Sequence, residues 1–146
     1  MTDEHYMRLA LAEAEEAAKN GEVPVGAVVV CNDRIVGRGH NLVETMTDVT
    51  AHAEMIAITA ASETLGGKYL DECTLYVTVE PCAMCAGAIG WARVGRLVYG
   101  AEDSKRGYRK VYGSEMAPFH PATQITQGVL ADEAAALMKD FFQRLR

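Results

Sequence analysis

Two short segments combine residue types that bind a metal ion with residue types that move protons. They are Thr50-Ala51-His52-Ala53-Glu54 and Glu80-Pro81-Cys82-Ala83-Met84-Cys85. Cys82 and Cys85 are three positions apart, so in a helical turn both sulfur atoms face the same side. A helix N-terminus favours thiolates, which are the form of cysteine that binds zinc. Two cysteines are too few for a closed zinc site, so further ligands must come from elsewhere in the chain.

His52 is the predicted third ligand, and Glu54 is the predicted proton carrier. On an ideal helix the two side chains point about 200° apart, so they cannot both bind a metal ion from one face of the helix. At the first helical turn both can still border one cavity, with His52 on the metal and Glu54 facing a substrate. Three protein ligands leave a fourth position for water, which is typical of catalytic zinc sites.

The expected chemistry is the hydrolytic removal of an exocyclic amine from a nucleobase. Zinc lowers the pKa of its bound water to roughly 7. Glu54 takes the proton, the hydroxide attacks the ring carbon that carries the amine, and Glu54 returns protons to the ring nitrogen and to the departing ammonia. The combined pattern H-x-E…P-C-x-x-C is the zinc-deaminase motif, and it is far more specific than either half.

Alternating helices and strands must position these two segments. Apolar periodicity predicts helices at 3–19, 51–64, 82–92 and 132–145, and strands at Val25–Cys31, Ile35–His40, Cys73–Val79, Arg96–Gly100 and Gln124–Thr126. Residues 104–121 fit neither pattern, since Pro118 and Pro121 interrupt them. This order predicts an α/β fold, a three-layer α/β/α sandwich with a mixed sheet. Both chemical segments open helices.

Length and composition bound the remaining possibilities. The 146 residues suit a single domain over 1–146, and 49% hydrophobic residues are enough for a core. The net charge of −6, taken alone, argues mildly against a nucleic-acid partner. The chain shows no signal peptide and no membrane-spanning segment, so we expect a cytoplasmic protein with reduced thiols and no membrane partner. Cys31 and Cys73 lie in apolar strands and are predicted to be core residues.

The chain resembles the cytidine/deoxycytidylate deaminase superfamily, and within it the bacterial tRNA-specific adenosine deaminases. Residues 22–27, 50–54, 75–87 and 128–142 carry this resemblance, which covers nearly the whole chain. It implies a mixed five-stranded sheet, a homodimer, and one zinc ion per chain on His52, Cys82 and Cys85, with Glu54 as proton shuttle. It also implies that the substrate is the wobble adenosine of a tRNA anticodon, which becomes inosine. The implied substrate contacts are Asn41, the backbone of Ala53, Asp103, Lys105 and Phe142.

One segment departs from that family. After the residues that match Asp103-Ser104-Lys105, the commonest family pattern continues with glycine, serine and leucine. Here Lys105, Arg106, Arg109 and Lys110 are interleaved with Tyr108 and Tyr112, and a second basic cluster consists of Lys139, Arg144 and Arg146. Basic residues contact phosphates, and aromatic rings stack on unpaired bases. The two clusters therefore predict contact with an anticodon loop in spite of the acidic net charge.

Two other functions remain open at this point. A deaminase of free guanine or cytosine would keep the zinc chemistry and lack an RNA surface. A non-catalytic RNA- or protein-binding module held by structural zinc would not need Glu54. Some single residues also have simpler alternative roles. Asn41 could simply shape the loop after the hairpin. Phe141 is assigned to the core by periodicity, and Trp91 suits helix packing or a dimer interface.

Overall fold

The computed structural model describes residues 1–113 and 117–145, so Arg146 of the second basic cluster lies outside the described residues. The helices are α1 (Asp3–Lys19), α2 (Val43–Met46), α3 (Ala53–Leu65), α4 (Ala83–Trp91), α5 (Tyr108–Tyr112) and α6 (Ala131–Arg144). The strands are β1 (Gly26–Cys31), β2 (Arg34–His40), β3 (Cys73–Val79), β4 (Arg96–Ala101) and β5 (Gln124–Gln127). The predicted α/β/α sandwich with a mixed five-stranded sheet is confirmed.

The sheet has the strand order β2-β1-β3-β4-β5. Strand β1 is antiparallel to both β2 and β3, whereas β3, β4 and β5 are parallel. The β1–β2 hairpin closes through Asn32 and Asp33, whose φ angles are 52° and 59°. Two consecutive left-handed residues match the twist of a tight hairpin, and asparagine and aspartate tolerate that conformation better than most residues do.

Both faces of the sheet are covered, which explains the continuous valine run of β1. On one face Leu75 and Val77 pack with residues of α3 and α4 in the larger core. On the other face Tyr76 packs with Met7 and other residues of α1. Helix α3 comes close to β2 because Gly39 has no side chain: a Cβ there would lie 2.6 Å from the carbonyl oxygen of Ala53. This approach places the start of α3 against the sheet.

Helix α6 differs from its prediction. Helical periodicity predicts a core face of Ala134, Leu137, Met138, Phe141 and Leu145, but only Ala134 is buried. Leu137, Met138 and Phe141 are half-buried, and Leu145 is exposed. Helical periodicity identifies an apolar face, but burial also requires a packing partner, and the last turns of α6 stay open to solvent. Among the residues that the structure describes, no helix is long and apolar enough to cross a bilayer.

An ion pair at the start of α1 connects three elements of the fold. Asp3 binds the guanidinium of Arg96 through two contacts of 2.7 Å and accepts the hydroxyl of Tyr76 at 2.8 Å. The hydrogen bond from Arg96 is the main reason why the pKa of Asp3 lies below its ordinary value. The ionised carboxylate therefore stabilises the fold above the pKa that it has in the unfolded chain. This stabilisation is lost as the pH falls through the folded pKa.

We expect Asp3→Asn to lower the free energy of unfolding by about 1 kcal/mol at pH 7, since the pair is partly exposed. Urea unfolding between pH 7 and pH 3 should show the difference shrinking as the wild-type carboxylate is protonated. Glu4→Gln, a change in the same exposed helical turn, is the matched control and should have little effect. A difference that does not vary with pH would contradict this account.

Candidate functional site

The two chemical segments meet where α3 and α4 begin. His52 is the N-cap residue of α3 and Cys82 is the N-cap residue of α4, and neither uses its side chain to cap its helix. Cys85 lies one turn into α4 and is fully buried. Strand β3 leads directly into this region, since Val79 is followed by Glu80, Pro81 and Cys82. The side chains of both N-cap residues are thus free of capping contacts and can bind another group, such as a metal ion.

The three predicted metal ligands lie together. Nδ1 of His52 is 3.6 Å from Sγ of Cys82 and 3.5 Å from Sγ of Cys85. One ligand atom from each residue lies within 4.8 Å of the other two. A tetrahedral zinc ion with Zn–N near 2.0 Å and Zn–S near 2.3 Å would place nitrogen and sulfur ligands about 3.5 Å apart. The spacing and the donor set therefore fit zinc.

The electrostatics of the cluster favour a thiolate. A hydrogen bond from Cys85, aided by one from His52, lowers the pKa of Cys82 to about 4. The same interaction, together with burial, raises the pKa of Cys85. The hydrogen bond with Cys82 likewise raises the pKa of His52. The site thus stabilises negative charge on one sulfur atom, which is what a metal cation requires.

Glu54 lies beside this cluster and is almost completely buried, with 4% of its surface exposed. Burial is the largest cause that raises its pKa to about 7, and negative charge on Cys82 adds to the effect. The ideal-helix angle between His52 and Glu54 does not apply, because His52 precedes α3 in an extended conformation with φ −79° and ψ 155°. A carboxyl group that titrates near neutral pH can both accept and donate a proton.

Asn41 begins a loop that a second buried carboxylate holds in place. Its Oδ1 accepts the backbone N–H of Val43 at 3.0 Å, the loop-shaping contact that was its simpler alternative role. The next residue, Leu42, donates its N–H to the carbonyl of Ala51, directly before His52. Glu22 accepts the backbone N–H groups of Glu44 and Thr45 and the hydroxyl of Thr45. Glu22 was not predicted as a site residue, although residues 22–27 are among those that carry the family resemblance.

Asp103 and Lys105 lie in a loop that approaches the metal-ligand cluster from β4. Oδ1 of Asp103 accepts the backbone N–H groups of Lys105 and Arg106, so the turn is closed by its own side chain. Gly107 forms an isolated β-bridge with Cys82. Lys105 is exposed, and Asp103 is half-buried. The loop therefore borders the second chemical segment and presents a cation beside it.

Two residues of the basic-aromatic segment do not have their predicted role. Tyr108 is buried, with its ring 6.1 Å from Tyr99 and 4.9 Å from Phe119 between ring centres. The guanidinium of Arg109 forms ion pairs with Glu80 and Glu102. The interpretation that both face RNA was wrong, because α5 turns these two side chains inward. Lys105, Arg106 and Lys110 remain exposed, and Tyr112 is half-buried against the core.

Phe142 and Ala53 occupy different environments. Ala53 is fully buried between His52 and Glu54. Phe142 is exposed on α6, where its ring lies 5.3 Å from that of Phe141. In the described part of the chain, no hydrogen bond or aromatic contact connects Phe142 with the metal-ligand cluster. The fold thus brings Asn41, Ala53 and Asp103 to the segments that carry the ligands, and leaves Phe142 on the surface.

The structure brings three donor atoms that fit zinc and a buried carboxyl group together at one end of a mixed five-stranded sheet. This arrangement places the protein in the class of hydrolytic deaminases. A family comparison agrees with this classification. The MafB19-like deaminase family matches residues 1–146, and the chain belongs to that family.

Individual relatives are similar over nearly the full chain. The tRNA-specific adenosine deaminase of Bacillus subtilis is 44% identical over 146 residues, which cover 99% of this chain and 91% of that protein. The chloroplastic tRNA(adenine(34)) deaminase of Arabidopsis thaliana is 48% identical, but the match spans only 12% of its length. A solved tRNA:A34 deaminase superposes with a TM-score of 0.83 at 42% identity, covering 91% of this chain and 98% of that one. The guanine deaminase from Nitrosomonas europaea has a TM-score of 0.77 at 26% identity, covering 94% and 83%.

Proposed function

We propose that this chain is a tRNA-specific adenosine deaminase that converts the wobble adenosine of an anticodon loop to inosine. In this proposal residues 1–146 act as one zinc-dependent domain. The observation that carries the proposal is the convergence of His52, Cys82, Cys85 and Glu54 at the start of two neighbouring helices. The 44% identity to a full-length tRNA-specific adenosine deaminase supports the choice of substrate.

His52, Cys82 and Cys85 would hold the zinc ion, one per chain. When bound, zinc supplies Lewis acidity that makes water a nucleophile near neutral pH. Glu54 would accept one proton from the attacking water and pass it to the ring nitrogen, and then accept the second proton of that water and pass it to the leaving amine. Burial keeps its pKa near 7, so the carboxyl group can act in both directions within one turnover. Asn41 and the backbone of Ala53 are the proposed contacts to the purine ring.

The anticodon loop is proposed to lie across the exposed cations near the site. Lys105, Arg106 and Lys110 offer phosphate contacts, and Asp103 orients the first part of their loop. Phe142, Lys139 and Arg144, which are exposed on α6, form a further proposed RNA surface. Extrusion of the target base needs little energy in a single-stranded loop.

The working form is proposed to be a homodimer in the cytoplasm. Trp91 is 86% exposed at the end of α4, and Met84 is also exposed on that helix. An exposed tryptophan on a helix rich in alanine and glycine supports an interface between two copies. Tyr108 and Ile89 already pack inside each protomer, so the interface would not replace the existing core.

The proposed activity is tested with an anticodon stem-loop that carries adenosine at the wobble position. Free adenine, adenosine, guanine and cytosine are offered in parallel, and each product is quantified. Inosine in the stem-loop with no turnover of free bases supports the proposal. Turnover of a free base alone would assign the chain to the second candidate function, which the similarity to the guanine deaminase favours.

The exposed cations near the site should determine how RNA affinity depends on salt. We expect the triple variant Lys105→Ala, Arg106→Ala, Lys110→Ala to bind the stem-loop more weakly and to flatten the log–log salt dependence by about 0.7 for each lost phosphate contact. A fluorescence anisotropy titration at several salt concentrations measures both quantities. Lys19, Arg34 and Arg38 carry the same total charge on other surfaces, so their alanine triple is the control. An equal effect of both triples would contradict a localised RNA surface.

A further inference from the structure

The loop at 103–109 is attached to the Cys82 segment through one buried carboxylate. Glu80 lies two residues before Cys82, and its side chain is 1% exposed. Its Oε1 accepts the backbone N–H of Asp103 at 3.2 Å, and its Oε2 accepts the backbone N–H of Arg109 at 3.1 Å. The two ends of the loop are therefore held by the two oxygen atoms of one side chain.

Arg109 supplies the charge that this buried carboxylate needs. Its guanidinium nitrogen is 3.2 Å from Oε1 of Glu80 and 3.2 Å from Oε1 of Glu102. The Arg109 side chain is only 34% exposed, whereas Glu102 is 69% exposed. A buried carboxylate is costly unless hydrogen bonds and a cation compensate it. Arg109 is thus bound inside the loop rather than presented to a ligand.

The packing of this loop leaves little room for movement. A Cβ at Gly107 would collide with the Glu80 carboxylate and with the carbonyl oxygen of Asp103. Tyr108 donates its backbone N–H to the carbonyl of Pro81 at 2.8 Å, next to Cys82. The shape of the loop and the position of the ligand-bearing segment are therefore coupled by direct contacts.

We propose that the Glu80–Arg109 pair positions the 103–109 loop for the RNA substrate. This inference rests on the proposed function, because it takes the loop as the part that meets the anticodon. The pair keeps Asp103 and Lys105 at a fixed place beside Cys82 before the RNA arrives. A preformed loop loses less conformational entropy on binding than a mobile one does. The pair therefore acts on substrate binding and not on the chemical step.

The first test compares steady-state kinetics on the stem-loop. Arg109→Ala and Glu80→Gln should each raise KM about tenfold, the effect of one lost charge-assisted hydrogen bond, with kcat and metal content nearly unchanged. Arg109→Lys keeps the charge and should restore part of the loss. Glu102→Gln removes the exposed partner of the same arginine and is the matched control, with a KM close to wild type.

The direction of the Glu80→Gln effect separates positioning from direct contact. If Arg109 bound a phosphate, removal of the neighbouring carboxylate would leave RNA binding unchanged or strengthen it. If Arg109 acts through Glu80, removal of the carboxylate weakens binding, and the double variant is no worse than the single ones. Tighter RNA binding by Glu80→Gln overturns the proposal. A lower melting temperature with unchanged KM would show a purely structural role and also overturns it.

Amide hydrogen exchange tests the pair independently of the RNA function. In Arg109→Ala the backbone N–H groups at positions 103 and 109 should exchange faster, after correction for the changed side chain, while those of α1 should not change. Unchanged exchange at both amides overturns the proposal even if the wild type edits the stem-loop. If the wild type edits no stem-loop, the proposed function fails. The role of the Glu80–Arg109 pair is then decided by amide exchange and by the KM for whichever free base the enzyme accepts. Should Glu80→Gln not fold, Arg109→Ala and Arg109→Lys carry the test.

Discussion

Glu54→Gln is expected to reduce the rate of deamination by about 10³-fold or more, because an amide cannot exchange the proton that general acid–base catalysis requires. The substitution preserves size and keeps an oxygen atom in place. Metal content should therefore equal that of the wild type, and stem-loop affinity should change little. Single-turnover kinetics with quantified inosine, together with metal analysis of the purified variant, measures the effect.

The stability of the same variant provides a second readout. The Glu54 carboxyl group is buried, and this burial is what raises its pKa to about 7. A neutral amide avoids the cost of burying a charge, so the melting temperature of Glu54→Gln should be equal to or higher than that of the wild type. Glu63→Gln, on the exposed side of the same helix, is the matched control for activity. Inosine formation at the wild-type rate in Glu54→Gln would contradict the role of Glu54 as proton carrier.

Cys82→Ala should lose both the metal and the activity, which is the second large effect. Only His52 and Cys85 would remain as ligands, and a two-ligand zinc site is weak. The substitution also removes the sulfur atom that the cluster holds as a thiolate. Metal content after dialysis against a weak chelator should fall far below one ion per chain, and inosine formation should fall with it.

Cys31→Ala is the matched control for that experiment. Cys31 lies at the end of β1, half-buried, and its Sγ contacts the carbonyl of Glu72 at 3.7 Å. It is not one of the clustered donors. This variant should keep metal and activity with at most a small loss of stability. Full activity of metal-free Cys82→Ala would refute a metal-dependent mechanism.

Local sequence patterns determined most of the architecture and the identity of the chemical groups. The valine run of β1 and the alternation in β3 predicted buried strands, because side chains on a strand alternate between two faces. His52, Glu54, Cys82 and Cys85 were identified by their residue types and by the spacing of the combined motif H-x-E…P-C-x-x-C. Neither inference needs the tertiary structure, since the strands follow from local alternation and the chemical groups from a motif whose two halves are each short.

Tertiary structure alone decided which charged and aromatic side chains face inward. Arg109 and Tyr108 belong to a segment with the composition of an RNA surface. In the structure, however, Arg109 forms an ion pair with Glu80. The ring of Tyr108 packs against those of Tyr99 and Phe119. The apolar face of α6 follows helical periodicity, but it is buried only where another element covers it. The burial of a side chain depends on partners distant in sequence, and no local pattern contains that information.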